Sequence, residues 1–197
     1  MIEFTLRGKV KFAVDFTFFA TIALFFYFDE YGYGLMGICA CLIHEIGHLI
    51  ALYIEKRDFK SFTFYGGGIK INYEKSTNAS VFLITAGCLL NIIFFLLFYF
   101  VLSVSFNLKV FAVVNLIIGI FNFLPFRYFD GGHLLEKFLI KTCNHEKALH
   151  VLRKTEKITA FITLAILFLI VVSARINTSV FVIMIYIFIS DITLRKK

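Results

Sequence analysis

The sequence predicts an all-α polytopic membrane protein, with about six transmembrane helices and a small membrane-associated β-hairpin after the second. Three observations predict it. Of the 197 residues, 60% are apolar and 27 are Phe, with a mean hydropathy of +0.87; a soluble domain needs more polar residues to cover its surface. Apolar stretches near spanning length recur along the chain. The basic residues cluster between those stretches on alternate sides, as the positive-inside rule requires. In this setting the net charge of +7 fixes topology. No basic patch is interleaved with stacking aromatics, so the expected partner is the lipid bilayer and no nucleic acid is expected.

In chain order, the basic N-terminus (Met1 to Lys11) precedes a first apolar run at 12–28. That run ends in Tyr27-Phe28-Asp29-Glu30 with no small-residue cleavage site, so it is expected to be a retained span rather than a signal peptide. The second, 34–54, is long enough to span but carries His44, Glu45 and His48. Residues 60–75 alternate (Phe62, Phe64, then Ile69, Ile71, Tyr73) around Gly66-Gly67-Gly68, a hairpin signal that a flexible turn explains equally well. The third run, 79–104, spans comfortably; 110–124 and 180–189 are short, and 158–172 lies between them. With six crossings and a cytoplasmic N-terminus, all of the 20 basic residues except Lys109 and Arg175 fall on the cytoplasmic side, as do both termini. Cys39, Cys41 and Cys88 read as small apolar packing residues and Cys143 as a free thiol in a basic loop; no disulfide is expected. No internal repeat or second domain is visible, so residues 1–197 form one membrane-embedded domain.

The chemistry is concentrated in His44-Glu45-Ile46-Gly47-His48. Residues four apart share a helix face, so His44 and His48 can offer two imidazole nitrogens to one ion, and Glu45 can reach a water beside it. This is the HExxH arrangement of zinc hydrolases, with the glutamate as general base. Two core histidines with a paired carboxylate is the competing reading. Three ionisable residues in five positions of an apolar segment weigh against it, because each costs roughly 2.5–3.5 kcal/mol at the bilayer centre on insertion scales.

A catalytic zinc takes three protein ligands, and the extended HExxHxxGxxH pattern is absent: residues 49–56 hold no histidine. His145 and His150 lie in a polar basic stretch and read as solvated loop residues. The better region runs from Asn122 to His133. Pro125, the single proline, breaks the fourth apolar run there, and irregular backbone at membrane depth belongs where it lines a cavity. Asp130 in this region reads either as a ligand or as the cap of a helix beginning near Leu134. His133, three residues on, reads equally as a group supporting the ligands or as a surface polar residue.

These residues together resemble the site-2 proteases, a family of intramembrane zinc metalloproteases. His44-Glu45-Ile46-Gly47-His48 resembles the family's HExxH. Asn122, Pro125, Asp130 and Gly131 fit its Asn-x-x-Pro-x-x-x-x-Asp-Gly motif, and Ala86-Gly87-Cys88-Leu89-Leu90-Asn91 is similar to its Ala-Gly-Pro-x-x-Asn segment, with Cys88 where proline is usual. The likeness covers a catalytic core of about 34–140. The resemblance implies a zinc ion held by His44, His48 and Asp130, with Glu45 activating water. It also implies a substrate-binding role for Asn91, Asn122, Gly67 and Gly68, the hairpin pairing with an extended substrate strand.

As a whole, the chain is similar to the compact sporulation-type branch, since 105–109 leaves no room for the PDZ domain many bacterial members carry. The expected activity is hydrolysis of peptide bonds within or next to transmembrane segments of membrane-anchored protein substrates in a bacterial cell membrane, near its cytoplasmic side. A regulatory membrane protein is a further partner open to such an enzyme. One rival is a membrane zinc peptidase whose third ligand is Glu136 or Glu156. Another is an ion- or proton-coupled transporter using Glu45 and Asp130, although no second copy of the His44–His48 pattern marks an inverted repeat.

Overall fold

Strands form where the N-terminal residues alternate in polarity. The computed structural model describes residues 2–6, 10–29, 32–57, 59–65, 68–73, 79–102, 105–126 and 129–174. Strands β1 (Ile2–Leu6) and β2 (Val10–Val14) pair antiparallel, and β3 (Phe59–Tyr65) and β4 (Gly68–Tyr73) do the same. In the register of the second pair Phe62 is the backbone partner of Ile71 and Phe64 that of Ile69. β2 runs parallel to β3, joining both pairs into one sheet of order β1-β2-β3-β4. The all-α expectation is corrected here. The fold is mostly helical but carries a four-stranded sheet, and β2 takes residues 12–14 from what read as the start of the first span. Of the expected turn glycines, Gly66 and Gly67 lie outside the described residues, and Gly68 opens β4 opposite Tyr65.

Helix α1 (Phe16–Phe28) starts at an Asp15 cap. The Asp15 carboxylate accepts from the Thr17 amide at 3.0 Å and the Thr17 hydroxyl at 3.1 Å, and these bonds hold its pKa below the ordinary value. Asp29, just beyond α1, accepts from the amides of Tyr33 and Gly34 at 2.8 and 2.6 Å. It thereby satisfies the N-terminus of α2 (Tyr33–Ile54), while Gly32 takes the left-handed φ of 77° that the tight connection requires. α3 (Val81–Leu96) continues through a π-helical turn to Val101; α4 spans Phe106–Asn122, α5 Asp130–Thr142 and α6 His145–Ala174. α3 lies at the centre, packed against α2, α4 and α5, and α6 packs on α5.

Two helical stretches, Tyr33–Ile54 and Val81–Val101, are long and apolar enough to cross a membrane; α4 is apolar but shorter. At 1.5 Å per residue they reach roughly 30 Å or more, the thickness of a hydrocarbon core. The apolar run at 158–172 forms the second half of α6, and the run at 180–189 lies outside the described residues. His145 and His150 are corrected from loop to helix: both belong to the first turns of α6, where the polar start continues directly into the apolar half.

Burial is arranged inside out. On α2 the buried residues Ala40, His44, Gly47 and Ala51 follow helical spacing, while Leu42, Ile46 and Ile50 are exposed. α4 repeats this, burying Ala112, Asn115 and Gly119 and exposing Ile117 and Phe121. Small and polar side chains at helix contacts with large apolar ones outside is the pattern of helices packed in lipid. Small residues allow close crossing: a Cβ on Gly47 would stand 2.5 Å from the Ala86 carbonyl oxygen.

Candidate metal centre

Three donor atoms converge beneath the crossing of α2 and α3. His44 and His48, one turn apart on α2, bring their Nε2 atoms to 3.2 Å of each other. Asp130, the first residue of α5, places Oδ2 3.3 Å from His44 Nε2 and 3.2 Å from His48 Nε2. The cap reading of Asp130 is corrected by this geometry. Phe129 occupies the cap position, and the Asp130 carboxylate turns toward the imidazoles.

The contacts around the triangle set its orientation. His48 Nδ1 lies 2.9 Å from the Leu83 carbonyl oxygen on α3. A carbonyl only accepts, so Nδ1 carries a proton, and in the neutral ring Nε2 presents a lone pair inward. Leu83 is itself positioned by the start of α3. Ser80 accepts from the Leu83 amide at 2.9 Å and donates to Glu55 just beyond α2. Glu55 pairs with Arg57 at 2.8 Å, and Lys137 of α5 donates to the Ala79 carbonyl. The end of α2, the start of α3 and α5 are thus tied together. Gly87 of α3 leaves the histidines their room: a Cβ there would stand 2.6 Å from His48 Nε2 and 2.7 Å from His44 Cε1. Gly131 does the same for α5, since a Cβ there would collide with the Phe123 carbonyl.

Without a metal, protons must lie between these atoms, as in Nε2–H bonds to the carboxylate; a cation among them lets both imidazole lone pairs and the carboxylate oxygen point inward together. The donors lie at 3.2–3.3 Å from one another. A tetrahedral zinc with bonds of about 2.0–2.1 Å separates its ligand atoms by about 3.3–3.4 Å, so the triangle has the edge length that zinc asks for. Burial agrees, with His44 4% exposed. Among the described residues, His44 Nδ1 has no hydrogen-bond partner.

The other expected site residues are placed as follows. Glu45 neighbours His44 on α2 and lies within electrostatic range of both His48 and Asp130. Asn91 is fully buried one turn beyond Gly87, and among the described residues neither of its side-chain polar atoms has a hydrogen-bond partner. Asn122 sits at the end of α4 and donates to the Ile118 carbonyl at 3.0 Å, within its own helix. Gly68 is in the sheet and Gly67 lies outside the described residues. His133 is 3.9 Å from Glu136 on the same helix. Reasoning from the sequence missed three participants: the Leu83 carbonyl, Gly87 and Cys88. Cys88 is corrected from simple packing, for its thiol donates to Asp130 Oδ2 at 3.5 Å. Its position one residue after Gly87 was the available signal.

Residues 103–170 match the model of peptidase family M50. That stretch holds the Asn122-to-Gly131 motif and stops short of the His44–His48 motif on the N-terminal side. No curated protein matches the chain. Among solved structures, the Site-2 Protease from Methanocaldococcus jannaschii is similar over 95% of this chain and 90% of its own, with a TM-score of 0.59 and 19% sequence identity, so the two folds agree.

Proposed function

We propose that the chain is a site-2 protease of peptidase family M50, a zinc metalloprotease that hydrolyses peptide bonds within or next to the transmembrane segments of membrane-anchored proteins; the family match over residues 103–170 and the shared fold support this reading. The observation that carries this reading is the donor triangle of His44, His48 and Asp130 at 3.2–3.3 Å, built on helices whose outer faces are apolar.

His44, His48 and Asp130 would hold the zinc. When bound, zinc supplies a Lewis acid that acidifies water and polarises a peptide carbonyl. Glu45 takes the proton of the attacking water and delivers it to the departing amine nitrogen. The Leu83 carbonyl keeps His48 in the tautomer that leaves Nε2 free for the ion. Gly87 keeps a side chain out of the space beside both rings. Asn91, with an unpartnered buried amide, is the group on α3 suited to receive a substrate backbone. Gly67, Gly68 and Asn122 are proposed to act further out, the glycines by letting an extended substrate lie along the sheet. Pairing as a strand frees the scissile amide from the helical hydrogen bonds that hide it.

The proposed topology has about six crossings with both termini in the cytoplasm of a bacterial cell. It is supported by the sheet: β2 and β3 pair directly, so an even number of crossings separates them. The basic residues around the strands (Lys11, Lys56, Arg57) put that side in the cytoplasm. The transporter alternative is set aside, since the donor triangle and the family both point to hydrolysis. Against the peptidase rival with Glu136 or Glu156 as third ligand, the contact of Asp130 Oδ2 with both imidazoles supports Asp130.

The test is cleavage of single-span membrane proteins by purified protein in detergent or liposomes. The reading requires products cut in or beside the span, loss of cleavage with a zinc chelator, and recovery on adding zinc. Cleavage that persists undiminished in chelator would contradict it.

A further inference from the structure

Asp130 has one hydrogen-bond donor that a bound metal would not consume. Its Oδ2 meets His44 Nε2, His48 Nε2 and the Cys88 thiol. Once both imidazole nitrogens give their lone pairs to an ion, neither can donate a proton to the carboxylate. Among the described residues, the remaining side-chain donor to Asp130 is then the Cys88 S–H, at 3.5 Å. Cys88 is 2% exposed, so no bulk water competes for that bond. It is carried by α3, the helix that also supplies the Leu83 carbonyl to His48 and the side-chain-free Gly87. Three successive helical positions on that face, 83, 87 and 88, therefore set the positions of the donors.

We propose that Cys88 is a positioning residue for the metal centre, its thiol hydrogen bond holding the ligating oxygen of Asp130 in place. The inference rests on the metal reading given above. Ligating carboxylates are ordinarily held by such hydrogen bonds, and losing one costs roughly 10–100-fold in metal affinity. A thiol is a weak donor, so the effect belongs at the lower end, about tenfold. Proline, the residue usual at this position in the family pattern, has no donor to offer; this chain would stabilise the same carboxylate by a side chain of its own.

The test measures zinc and cobalt affinity by chelator competition for the detergent-purified full chain as wild type, Cys88→Ala and Cys88→Ser, with thermal unfolding of each metal-free form. The expected result is affinity about tenfold weaker in Cys88→Ala, regained in part by the hydroxyl of Cys88→Ser, with the metal-free forms unfolding together. Equal affinity in wild type and Cys88→Ala overturns the proposal. So does equal loss in both variants, which would assign Cys88 to packing. A sulfur-to-cobalt charge-transfer band in the wild type also overturns it, because the sulfur would then be a direct ligand. Failure of the wild type itself to bind either metal removes the metal reading, and this inference with it, whereas metal binding insensitive to position 88 removes only the inference.

Discussion

At the residue scale the account turns on which atoms face inward. Glu45 is assigned the proton transfers, so Glu45→Gln is expected to keep metal content at the wild-type level while lowering turnover by about a hundredfold or more; unchanged turnover in a zinc-loaded Glu45→Gln protein would contradict the role. Asn91 offers a sharper separation. Its amide is buried without a partner, a state that costs stability. Asn91→Leu is therefore expected to raise the unfolding temperature and to weaken substrate use, and a variant that is both more stable and fully active would show that Asn91 does not touch substrate. Much of this scale was legible beforehand. His44 and His48 sit four apart, and that spacing alone puts two rings on one face. Asp130 came into view through its motif. The Leu83 carbonyl could not, because every residue carries one and only the crossing of α2 and α3 selects it. Gly87 and Cys88 were visible as part of the segment ending at Asn91, but their tasks appear only when the histidines and Asp130 stand opposite.

At the scale of elements, α3 and α5 act as the walls that hold the donors together. Gly131 faces the Phe123 carbonyl with no space for a methyl group. Gly131→Ala is expected to push the start of α5, and Asp130 with it, away from the histidines. Overpacking of this kind costs about 1–3 kcal/mol. The variant should unfold at lower temperature and bind zinc more weakly, and wild-type values for both would show that α5 can shift freely. The hairpin after α2 was visible because Phe62, Phe64, Ile69 and Ile71 alternate around three glycines. The β1–β2 pair was not, since its connection holds one glycine, Gly8, in place of three, and only Asp15 separates Phe12 to Val14 from the apolar stretch of α1. A strand and the start of a helix look alike when a single polar residue parts two apolar stretches, and the partner that decides between them, β3, lies more than forty residues away. The start of α6 was likewise read as loop because it is polar, yet polarity there marks the part of a helix that leaves the apolar layer.

At the scale of the whole molecule, the fold places a buried polar site inside a shell of apolar side chains. Exposed Phe100, Ile117 and Phe161 would drive a soluble protein to aggregate; in a bilayer they are the solvent-facing surface. The orientation can be read with a residue the chain already has. Cys143 is exposed and free, between α5 and α6. A membrane-impermeant thiol reagent should label it in inverted vesicles and leave it unlabelled in intact cells, and the reverse pattern would invert the topology. Composition alone made the membrane setting legible, but the crossing count was not, because short apolar runs such as 110–124 do not say whether they span or stop. The central claim is the metal site, and the most direct measurement is metal content of the detergent-purified protein beside His44→Ala and Asp130→Ala. The account predicts about one zinc per wild-type chain, lost in both variants. A folded wild type without zinc, or zinc indifferent to both substitutions, would contradict it.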